Sequence, residues 1–309
     1  MELLFLGTGA GIPSKSRNVS SLALKLLQEL NQVWLFDCGE ATQHQILETS
    51  LKPRKIRRIF ITHLHGDHIF GLPGLLSSRS FQTGEEETPL TIYGPPGIRD
   101  YIQMSLKLSK SNLLYPLEII ELDPQGGELL LDKKWKVTYL PLKHGILSFG
   151  YRVEEPDSPG ELLVEKLQAY NIPNGPIFGQ LKRGEEVVLE DGTQLKGTDF
   201  IGPTKKGRIV TILGDTRPNP NIQTLAHNAD AFVHEGTHDS NEAKMANKYF
   251  HSTVAQAAQA AKQANVGRLF VNHISARYLS RDVHNMQKEI RQIFKQSTIV
   301  HDLMEIDLN

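Results

Sequence analysis

The sequence predicts an α/β fold built from two similar halves that face one another. Runs of β-branched and apolar residues, which are typical of strands, alternate with helix-like segments along most of the chain. In both halves several of the strand-like runs end in histidine or aspartate, as is usual where strand ends form a ligand site. Between the halves, residues 156–206 are rich in glycine, proline and charge, which indicates an insertion.

Each predicted element follows from its local composition. The strands are short apolar runs that end at glycine or at a polar loop. The helix after residue 252 has a clear beginning, because Ser252 or Thr253 can cap it and an alanine-rich run to Ala264 follows. In chain order, we predict strands at 1–7, 22–27, 33–39, 59–62, 90–95, 117–121, 135–142, 207–214, 231–233 and 269–271, and helices at 40–50, 72–82, 98–108, 252–264 and 283–295.

Length and composition are those of an ordinary globular protein. The 309 residues are enough for one large α/β domain or two smaller ones. Hydrophobic residues make up 39% of the chain and charged residues 22%. The formal net charge of −1 gives no general attraction to nucleic acid, so any RNA contact must come from local basic patches.

The sequence also predicts a cytoplasmic protein. A single cysteine excludes an intrachain disulfide and fits a reducing compartment. The first residues, MELLFLGTGAG, have no positively charged region, and their apolar run is too short for a signal peptide. No stretch approaches the ~20 apolar residues that are needed to span a bilayer.

The densest group of metal-ligand residue types is HLHGDH, at residues 63–68. It follows the strand-like run 59–62, which Gly66 breaks into a loop. Imidazole and carboxylate groups are good ligands for zinc-like ions, and so many on one tight loop can converge on metal. Four unrelated polar loop residues are the alternative, which the density of ligand types disfavours. The candidates in this segment are His63, His65, Asp67 and His68.

Further candidates follow later strands one at a time. His144 comes after strand 135–142 and precedes a glycine, and Asp215 follows strand 207–214, where a carboxylate can bridge two ions. His273 follows the last clear strand. A lone histidine is ordinarily a satisfied core or surface residue, but the repeated position at strand ends favours a ligand. Other polar residues at a strand end or just before a helix are His234, Glu235 and His251.

Four motifs carry a resemblance to a known family. HLHGDH resembles the HxHxDH element of the metallo-β-lactamase superfamily. PSKSRN at 13–18, HEGT at 234–237 and HST at 251–253 resemble the PxKxRN, HEAT and HST loops of the ribonuclease Z family, the transfer-RNA 3′-end endonucleases. The resemblance covers essentially the whole chain, with Gly236 in place of the alanine of HEAT. It implies an α/β fold of the metallo-β-lactamase-like type, an αβ/βα four-layer sandwich with two facing mixed sheets and a protruding arm.

The resemblance also implies a domain organisation. Residues 1–309 would form a single domain with a flexible arm inserted at about 156–206, including a turn at 171–176, and the arm would grip transfer RNA away from the active site. A disordered surface loop is the alternative. The family is usually dimeric, so we expect a homodimer. The cations that the arm offers to phosphates are Lys182, Arg183, Lys196, Lys205 and Lys206.

Two Zn²⁺ ions per chain are what the resemblance implies for the site. His63, His65 and His144 would bind one ion. Asp67, His68 and His273 would bind the other. Asp215 would bridge the pair, and Asp37 would brace the metal loop without binding metal. A pair of ions can stabilise both the attacking and the leaving oxygen of an in-line displacement.

The catalytic roles follow from the same resemblance. Asp67 would accept the proton of the attacking water as general base. His251 would protonate the leaving 3′-oxygen or act as an electrostatic clamp, with Glu235 orienting it and His234 nearby. The alternative is that His234 and His251 only brace the metal ligands. For Arg277, a phosphate contact and an ion pair within the fold are both open.

The implied function is removal of the 3′ trailer from precursor transfer RNA by a zinc-dependent endoribonuclease, leaving a 3′-hydroxyl on the transfer RNA and a 5′-phosphate on the trailer. The metal ligands alone fit several other hydrolases, so the choice depends on the surrounding loops and the arm. The main alternative is a general phosphodiesterase of the same fold that acts on small phosphodiesters. A non-catalytic RNA-binding protein is a third reading, which an intact ligand set disfavours.

Overall fold

The computed structural model describes residues 1–81, 88–168, 170, 172, 175–189 and 191–308. The last residue of the predicted helix 72–82 and residues 171, 173 and 174 of the predicted turn lie outside the described residues. The chain divides into two compact units, here called the main unit (Met1–Asp132, Lys136–Val153 and Ile209–Asn309) and the arm unit (Lys133–Trp135 and Glu154–Arg208). No helix among the described residues is long and apolar enough to cross a membrane.

The described residues form eighteen strands and ten α-helices. In chain order the strands are β1 (Glu2–Gly7), β2 (Gly9–Ala10), β3 (Ser21–Leu26), β4 (Gln32–Phe36), β5 (Ile56–Phe60), β6 (Leu90–Gly94), β7 (Leu117–Glu121), β8 (Gly127–Leu131), β9 (Trp135–Leu142), β10 (Ser148–Glu154), β11 (Glu186–Val188), β12 (Gln194–Lys196), β13 (Ile209–Leu213), β14 (Ala231–Glu235), β15 (Arg268–Asn272), β16 (Ile274–Ser275), β17 (Ser297–Ile299) and β18 (Glu305–Asp307). The helices are α1 (Thr42–Leu47), α2 (Gly66–Ile69), α3 (Leu72–Ser80), α4 (Ile98–Leu108), α5 (Val164–Gln168), α6 (Pro176–Lys182), α7 (Pro220–Ala226), α8 (Ala243–Lys248), α9 (Val254–Gln263) and α10 (Ser280–Ile293).

Two seven-stranded mixed sheets form the centre of the main unit. The first has the order β18-β1-β3-β4-β5-β6-β7, and its strands from β4 to β7 run parallel. The second has the order β17-β15-β14-β13-β10-β9-β8, and β13, β14, β15 and β17 run parallel. Since parallel strands end at the same edge of a sheet, the loops after β13, β14 and β15 lie side by side.

An aromatic layer joins the two sheets. The ring of Phe36 on β4 stacks on Phe60 of β5 with centroids 5.0 Å apart, and Tyr151 on β10 of the second sheet lies 5.8 and 5.4 Å from these two rings. The Tyr151 hydroxyl donates a hydrogen bond to the carbonyl of Ile61 at 2.6 Å. The inner faces of the two sheets therefore pack directly on one another.

Helices cover the outer faces. Strand residues alternate between the two faces of a sheet, so Ile59 packs outward with Leu76 of α3 in one apolar cluster. On the second sheet, Leu269 packs with Ala258 of α9 in another. The resulting helix–sheet–sheet–helix arrangement confirms the predicted αβ/βα four-layer sandwich with facing mixed sheets.

The arm unit has a small apolar core of its own, formed by Leu167, Leu181, Val187, Leu195 and Phe200. The glycine, proline and charge of residues 156–206 predict a stretch that is too polar and too interrupted to supply a core. That prediction is wrong, because the antiparallel hairpin of β11 and β12 pairs Val187 with Leu195, and both pack with apolar residues from the rest of the arm. The two ends of the segment Glu154–Arg208 are hydrogen-bonded to each other, because the N–H of Glu155 donates to the carbonyl of Arg208 at 2.9 Å.

Most predicted elements are present, with differences at their ends. The predicted helix 98–108 coincides with α4, and α9 begins with a capping box at Thr253. The predicted helix 40–50 ends earlier, at Leu47, because the Thr49 hydroxyl bonds the carbonyl of Ile46 and accepts the N–H of Leu51. The elements that were not predicted from the sequence are strands β2, β8, β10, β11, β12, β16, β17 and β18 and helices α2, α5, α6, α7 and α8.

Candidate metal centre

Four ligand candidates come from the segment that directly follows β5. They are His63 and His65 on extended backbone, and Asp67 and His68 in the single turn of α2. Gly66 begins that turn. A Cβ atom at this position would lie 2.2 Å from the exposed ring of Phe70, so a larger residue would require that ring to move.

Three imidazoles form the first group. Nε2 of His63 lies 3.1 Å from Nδ1 of His65, and that Nδ1 lies 3.2 Å from Nε2 of His144, which follows β9. All three nitrogens can reach one small ion, since they lie within 4.8 Å of one another. Three imidazole nitrogens with an open further position are a common arrangement in catalytic zinc sites.

The second group combines Asp67, His68 and His273. Nε2 of His273 lies 3.3 Å from Oδ2 of Asp67 and 3.4 Å from Nε2 of His68. His273 lies between β15 and β16 with φ of 58°, a left-handed conformation that is uncommon for a residue with a side chain. Such strained conformations often occur at functional sites.

Asp215 lies between the two groups. Its Oδ2 is 3.7 Å from Nε2 of His63 and 3.3 Å from Nε2 of His273, while its Oδ1 is 3.6 Å from Nε2 of His68. The carboxylate therefore contacts one histidine of the first group and two of the second. The structure brings all seven predicted ligands together at one site.

Four of the histidines hold their other ring nitrogen against an oxygen acceptor. This is the usual arrangement for metal-binding histidine, because it fixes the ring and leaves one nitrogen free for the ion. The donor set therefore fits a metal-binding site. The Nδ1 contacts are His63 with Thr62 Oγ1 at 3.0 Å, His68 with Asp37 Oδ2 at 2.7 Å, His144 with the Phe250 carbonyl at 3.0 Å and His273 with Thr237 Oγ1 at 2.8 Å.

Protonation states also suit metal binding. Burial lowers the pKa of His63 well below its ordinary value, and burial likewise lowers the pKa of His65 and His144. His68 differs: burial acts to lower its pKa, but Asp215 and Asp37 on either side raise that pKa well above its ordinary value. Since only neutral imidazole binds metal, a cation at His68 competes with this proton.

Both central carboxylates are ionised. Burial opposes ionisation of Asp67, but hydrogen bonds with His273 and His68 hold the pKa of its carboxyl far below the ordinary value. Burial likewise opposes ionisation of Asp215, and the charges of the same two histidines lower its pKa well below the ordinary value. The two negative charges, one buried and one partly exposed, favour cation binding at the site.

Next to the ligands, Glu235 and His251 form a buried pair. Nδ1 of His251 lies 2.9 Å from Oε1 of Glu235. Burial acts to lower the pKa of His251, but the Glu235 charge outweighs it and the pKa is raised to about 9. His251 is therefore protonated at neutral pH, with its ring at the wall of the cleft described next.

The site opens into a cleft of about 330 Å³. The cleft is lined both by predicted metal ligands and by residues from the α8–α9 region. The side chains of His65, Asp67, Asp215 and His273 line it with those of Thr237, His238, Tyr249, His251, Ser275 and Arg277, and the loop residues Ala10 and Gly11 complete its rim.

Three contacts that support the site were not predicted. The N–H of Gly11 donates to Oδ2 of Asp67 at 2.8 Å, the carbonyl of Phe250 holds His144, and Thr237 holds both His273 and Glu235. Two of these groups are backbone atoms, which give no signal in residue types. The third lies in the HEGT motif, which indicated the region but not this contact.

Other predicted residues lie beside the site. His234 is buried, with Nδ1 bonded to the carbonyl of Glu235 at 2.7 Å. Arg277 at the cleft wall lies 3.3 Å from Oε1 of Glu242, an ion pair within the fold. In the PSKSRN loop, Arg17 donates to the carbonyl of Val300 at 2.7 Å, and the N–H of Asn18 donates to a carboxylate. These two residues hold the loop.

Comparison with known proteins identifies the family. The model of a family described as "Anti-Pycsar protein Apyc1" matches residues 1–113, which is less than half of the chain. Ribonuclease Z of Limosilactobacillus fermentum is 58% identical over 308 residues, covering 100% of this chain and 98% of that protein. Ribonuclease Z of Enterococcus faecalis is also 58% identical over 308 residues, covering 100% of this chain and 97% of that protein.

Solved structures agree. Human tRNase Z, short form, has a TM-score of 0.72 at 30% identity and covers 100% of both chains. The metallo-β-lactamase fold protein YhfI from Bacillus subtilis has a TM-score of 0.67 at 17% identity, covering 98% of both chains, and shares the fold. Because more than half of its residues are identical to those of the two bacterial relatives along their whole length, the chain belongs to the ribonuclease Z family and has the metallo-β-lactamase fold.

Proposed function

We propose that the chain is an endoribonuclease that removes the 3′ trailer from precursor transfer RNA, leaving a 3′-hydroxyl on the transfer RNA and a 5′-phosphate on the trailer. The observation that carries the proposal is the convergence of seven predicted ligand side chains, four of which line an open cleft, in a chain 58% identical to proteins named ribonuclease Z. A general phosphodiesterase for small esters is not favoured, since both bacterial relatives named above carry the nuclease name.

Two Zn²⁺ ions per chain fit the donor set best. The first group offers His63, His65 and His144, the second offers Asp67, His68 and His273, and Asp215 contacts both. Five imidazoles against two carboxylates make a nitrogen-rich donor set, which favours zinc over magnesium, since magnesium prefers oxygen ligands. When bound, such a pair supplies an activated water near neutral pH and charge stabilisation for the phosphate oxygens.

Asp67 acts as the general base in this proposal. Its carboxyl is ionised, and one oxygen is fixed by the Gly11 N–H at 2.8 Å and by Nε2 of His273 at 3.3 Å. An oriented carboxylate that faces the cleft can accept the proton of the attacking water. The Gly11 contact keeps the carboxylate from turning away.

His251 supplies the proton for the departing 3′-oxygen. Its imidazole is protonated at neutral pH, because Glu235 lies 2.9 Å away and raises its pKa to about 9. Glu235 is itself fixed by the N–H groups of Thr216 and Thr237, both at 3.0 Å. Glu235 is thus a positioning residue that keeps the acid charged and correctly oriented.

The arm unit is proposed to bind the body of the transfer RNA. Of the five arm cations that the sequence analysis singled out, two are neutralised locally, since Arg183 pairs with Glu185 and Lys205 pairs with Glu161, each at 2.6 Å. Exposed ion pairs of this kind exchange partners at little cost. The arm cations outside these two pairs, which we expect to contact phosphates first, are Lys182, Lys196 and Lys206.

The assembly and location of the enzyme are also proposals. We expect a homodimer, as in the family, and a cytoplasmic location. The single cysteine, Cys38, is buried, and its burial raises its pKa to about 12. A buried thiol of this kind is unreactive, and a protein without an intrachain disulfide fits a reducing compartment.

The test is incubation with a 3′-extended precursor transfer RNA, with and without a chelator, followed by mapping of the new ends. We expect one cut at the 3′ side of the acceptor stem, a 5′-phosphate on the released trailer, loss of cleavage after chelation and recovery with Zn²⁺. An uncut precursor together with rapid hydrolysis of a small phosphodiester would favour the general phosphodiesterase. Metal-independent binding with no new ends would indicate a binding protein.

A further inference from the structure

Tyr249 places an aromatic ring in the catalytic cleft, and no step of the mechanism uses it. The side chain is 56% exposed, although it lies in the wall that also carries His251. Ligand-binding clefts are lined largely by apolar and aromatic side chains, which contact the ligand. The position of Tyr249 is therefore that of a ligand-contacting residue.

The backbone around Tyr249 is fixed. Its N–H donates to the carbonyl of Met245 at 3.1 Å at the end of α8, and the N–H of His251 donates to the carbonyl of Ala246 at 2.8 Å. Between them Phe250 has φ of 61°, a left-handed conformation that is unfavourable for an aromatic residue. Strain of this kind persists only where surrounding contacts enforce it.

This strained turn directs three successive residues to the same site. The carbonyl of Phe250 holds Nδ1 of His144 at 3.0 Å, and His251 pairs with Glu235. Tyr249, the first residue of the turn, lines the cleft. The position of its ring is thus coupled to that of a metal ligand and of the proton donor.

Lys248 lies next to the ring, and two arginines lie in the same region, one of them paired with Glu242. Nζ of Lys248 lies 5.3 Å from the Tyr249 ring centroid. Arg277 lines the same cleft, and Arg217 lies over the neighbouring Phe250 ring at 4.4 Å. An exposed aromatic ring among cations is how proteins bind unpaired nucleotides, because bases stack on the ring while the cations attract phosphates.

We propose that Tyr249 is a stacking platform for one unpaired nucleobase next to the scissile phosphate. This inference rests on the proposed function, since it requires an RNA strand in the cleft, and it assigns a residue to substrate recognition. The ring holds one flanking nucleotide so that the phosphate beside it lies against the ligand side of the cleft. Because every base has an aromatic face, the platform tolerates different sequences.

The test compares Tyr249→Ala with Tyr249→Phe, which keeps the ring and removes the hydroxyl. Phe81→Ala is the matched control, as it removes another aromatic ring that is 85% exposed, at the end of α3. Each protein is assayed on precursor transfer RNA with either a normal or an abasic nucleotide at each position flanking the scissile phosphate. Thermal melting confirms that the variants are folded.

We expect Tyr249→Ala to lower kcat/KM by roughly 5- to 150-fold on the normal precursor, mainly by raising KM. A change of this size corresponds to the loss of stacking on one base. On the precursor that is abasic at the stacked position, Tyr249→Ala and the unmodified enzyme should perform equally. Tyr249→Phe and Phe81→Ala should behave like the unmodified enzyme. An equal loss on normal and abasic precursors, or no loss at all, would overturn the proposal. A loss in Tyr249→Phe as large as in the alanine variant would assign the effect to the hydroxyl.

Binding gives a second readout that does not require cleavage. A 2-aminopurine base at the stacked position should be quenched on binding to the unmodified enzyme and to Tyr249→Phe, but not to Tyr249→Ala. The same quenching in all three proteins would contradict the proposal that Tyr249 stacks on a base, even if cleavage is normal. An enzyme that quenches the probe but never cuts the precursor would instead contradict the proposed function and leave the platform standing.

Discussion

Nδ1 of His251 lies 2.9 Å from Oε1 of Glu235. Glu235 also accepts hydrogen bonds from the N–H groups of Thr216 and Thr237. It therefore cannot turn away from His251 without leaving buried donors unpaired. The raised pKa of His251 depends on this fixed carboxylate.

We expect Glu235→Gln to move the alkaline limb of the pH dependence of kcat to lower pH. The amide keeps the shape of the side chain but removes the charge that raises the pKa of His251, so the protonated form is lost at lower pH. If His251 is the acid, its replacement by alanine should cost about 10²–10⁴-fold in kcat. Glu242→Gln, which alters a carboxylate paired with Arg277, is the control. An unchanged alkaline limb in Glu235→Gln would remove His251 from the acid role.

Asp67→Ala should abolish cleavage and leave binding of precursor transfer RNA largely intact. The substitution removes both a ligand and the proposed base, while the arm unit and the rest of the cleft are unchanged. Single-turnover cleavage and a direct binding measurement separate the two effects. Normal turnover by this variant would exclude Asp67 from catalysis, and an equal loss of binding would indicate that the fold is damaged.

The sequence predicted which side chains converge at the site better than it predicted the contacts that hold them in place. HLHGDH is a local signal, and His144, Asp215 and His273 each follow a strand, so residue type and position were sufficient. The backbone groups that fix them, such as the Gly11 N–H on Asp67, depend on how distant loops meet, which local pattern does not encode. The prediction that the arm has no core was wrong for a related reason. Its apolar residues have no regular spacing in the sequence and converge only when the arm folds.

Asp37 should set metal affinity without binding metal. One of its oxygens accepts the N–H of Thr62 at 2.7 Å, and the other accepts the Thr62 hydroxyl at 2.8 Å and faces Nδ1 of His68 at 2.7 Å. Asp37→Asn places an amide against these donors. We expect metal affinity to fall by about 10- to 100-fold, measured by competition with a chelator. Asp132→Asn, whose partner is Arg58, is the control and should leave metal affinity unchanged.

Metal removal should lower the melting temperature. The ionised carboxylates of Asp67 and Asp215 both contact Nε2 of His273, and bound metal would neutralise their charge. Zn²⁺ at 100 times its Kd stabilises the fold by about 2.7 kcal/mol, which corresponds to a shift of several degrees, since each kcal/mol is worth roughly 2–4 °C in chains of about 150–250 residues and somewhat less in longer ones. A melt with and without chelator measures the shift. In Asp215→Asn the shift in melting temperature on metal removal should be smaller. The same melting temperature with and without chelator in the unmodified protein would count against the metal site.

Deleting the arm should separate recognition from chemistry. The hydrogen bond between the N–H of Glu155 and the carbonyl of Arg208 shows that the two ends of the insertion lie side by side, so a short glycine linker can replace residues 156–206 without stretching the main unit. Because the ligand side chains all lie outside the arm, hydrolysis of a small phosphodiester should persist. The KM for precursor transfer RNA should rise by at least tenfold, because the cations of the arm are no longer there to bind its phosphates.

A charge variant provides the matched control for the deletion. Replacing Lys182, Lys196 and Lys206 with alanine keeps the fold of the arm but removes cations outside its local ion pairs. If these residues bind phosphates, the salt dependence of precursor binding should become shallower by roughly one unit of slope for each lysine that binds a phosphate. An unchanged slope with a normal KM would show that the arm does not bind RNA through these lysines. Equal loss of both activities in the deletion would instead indicate misfolding of the main unit.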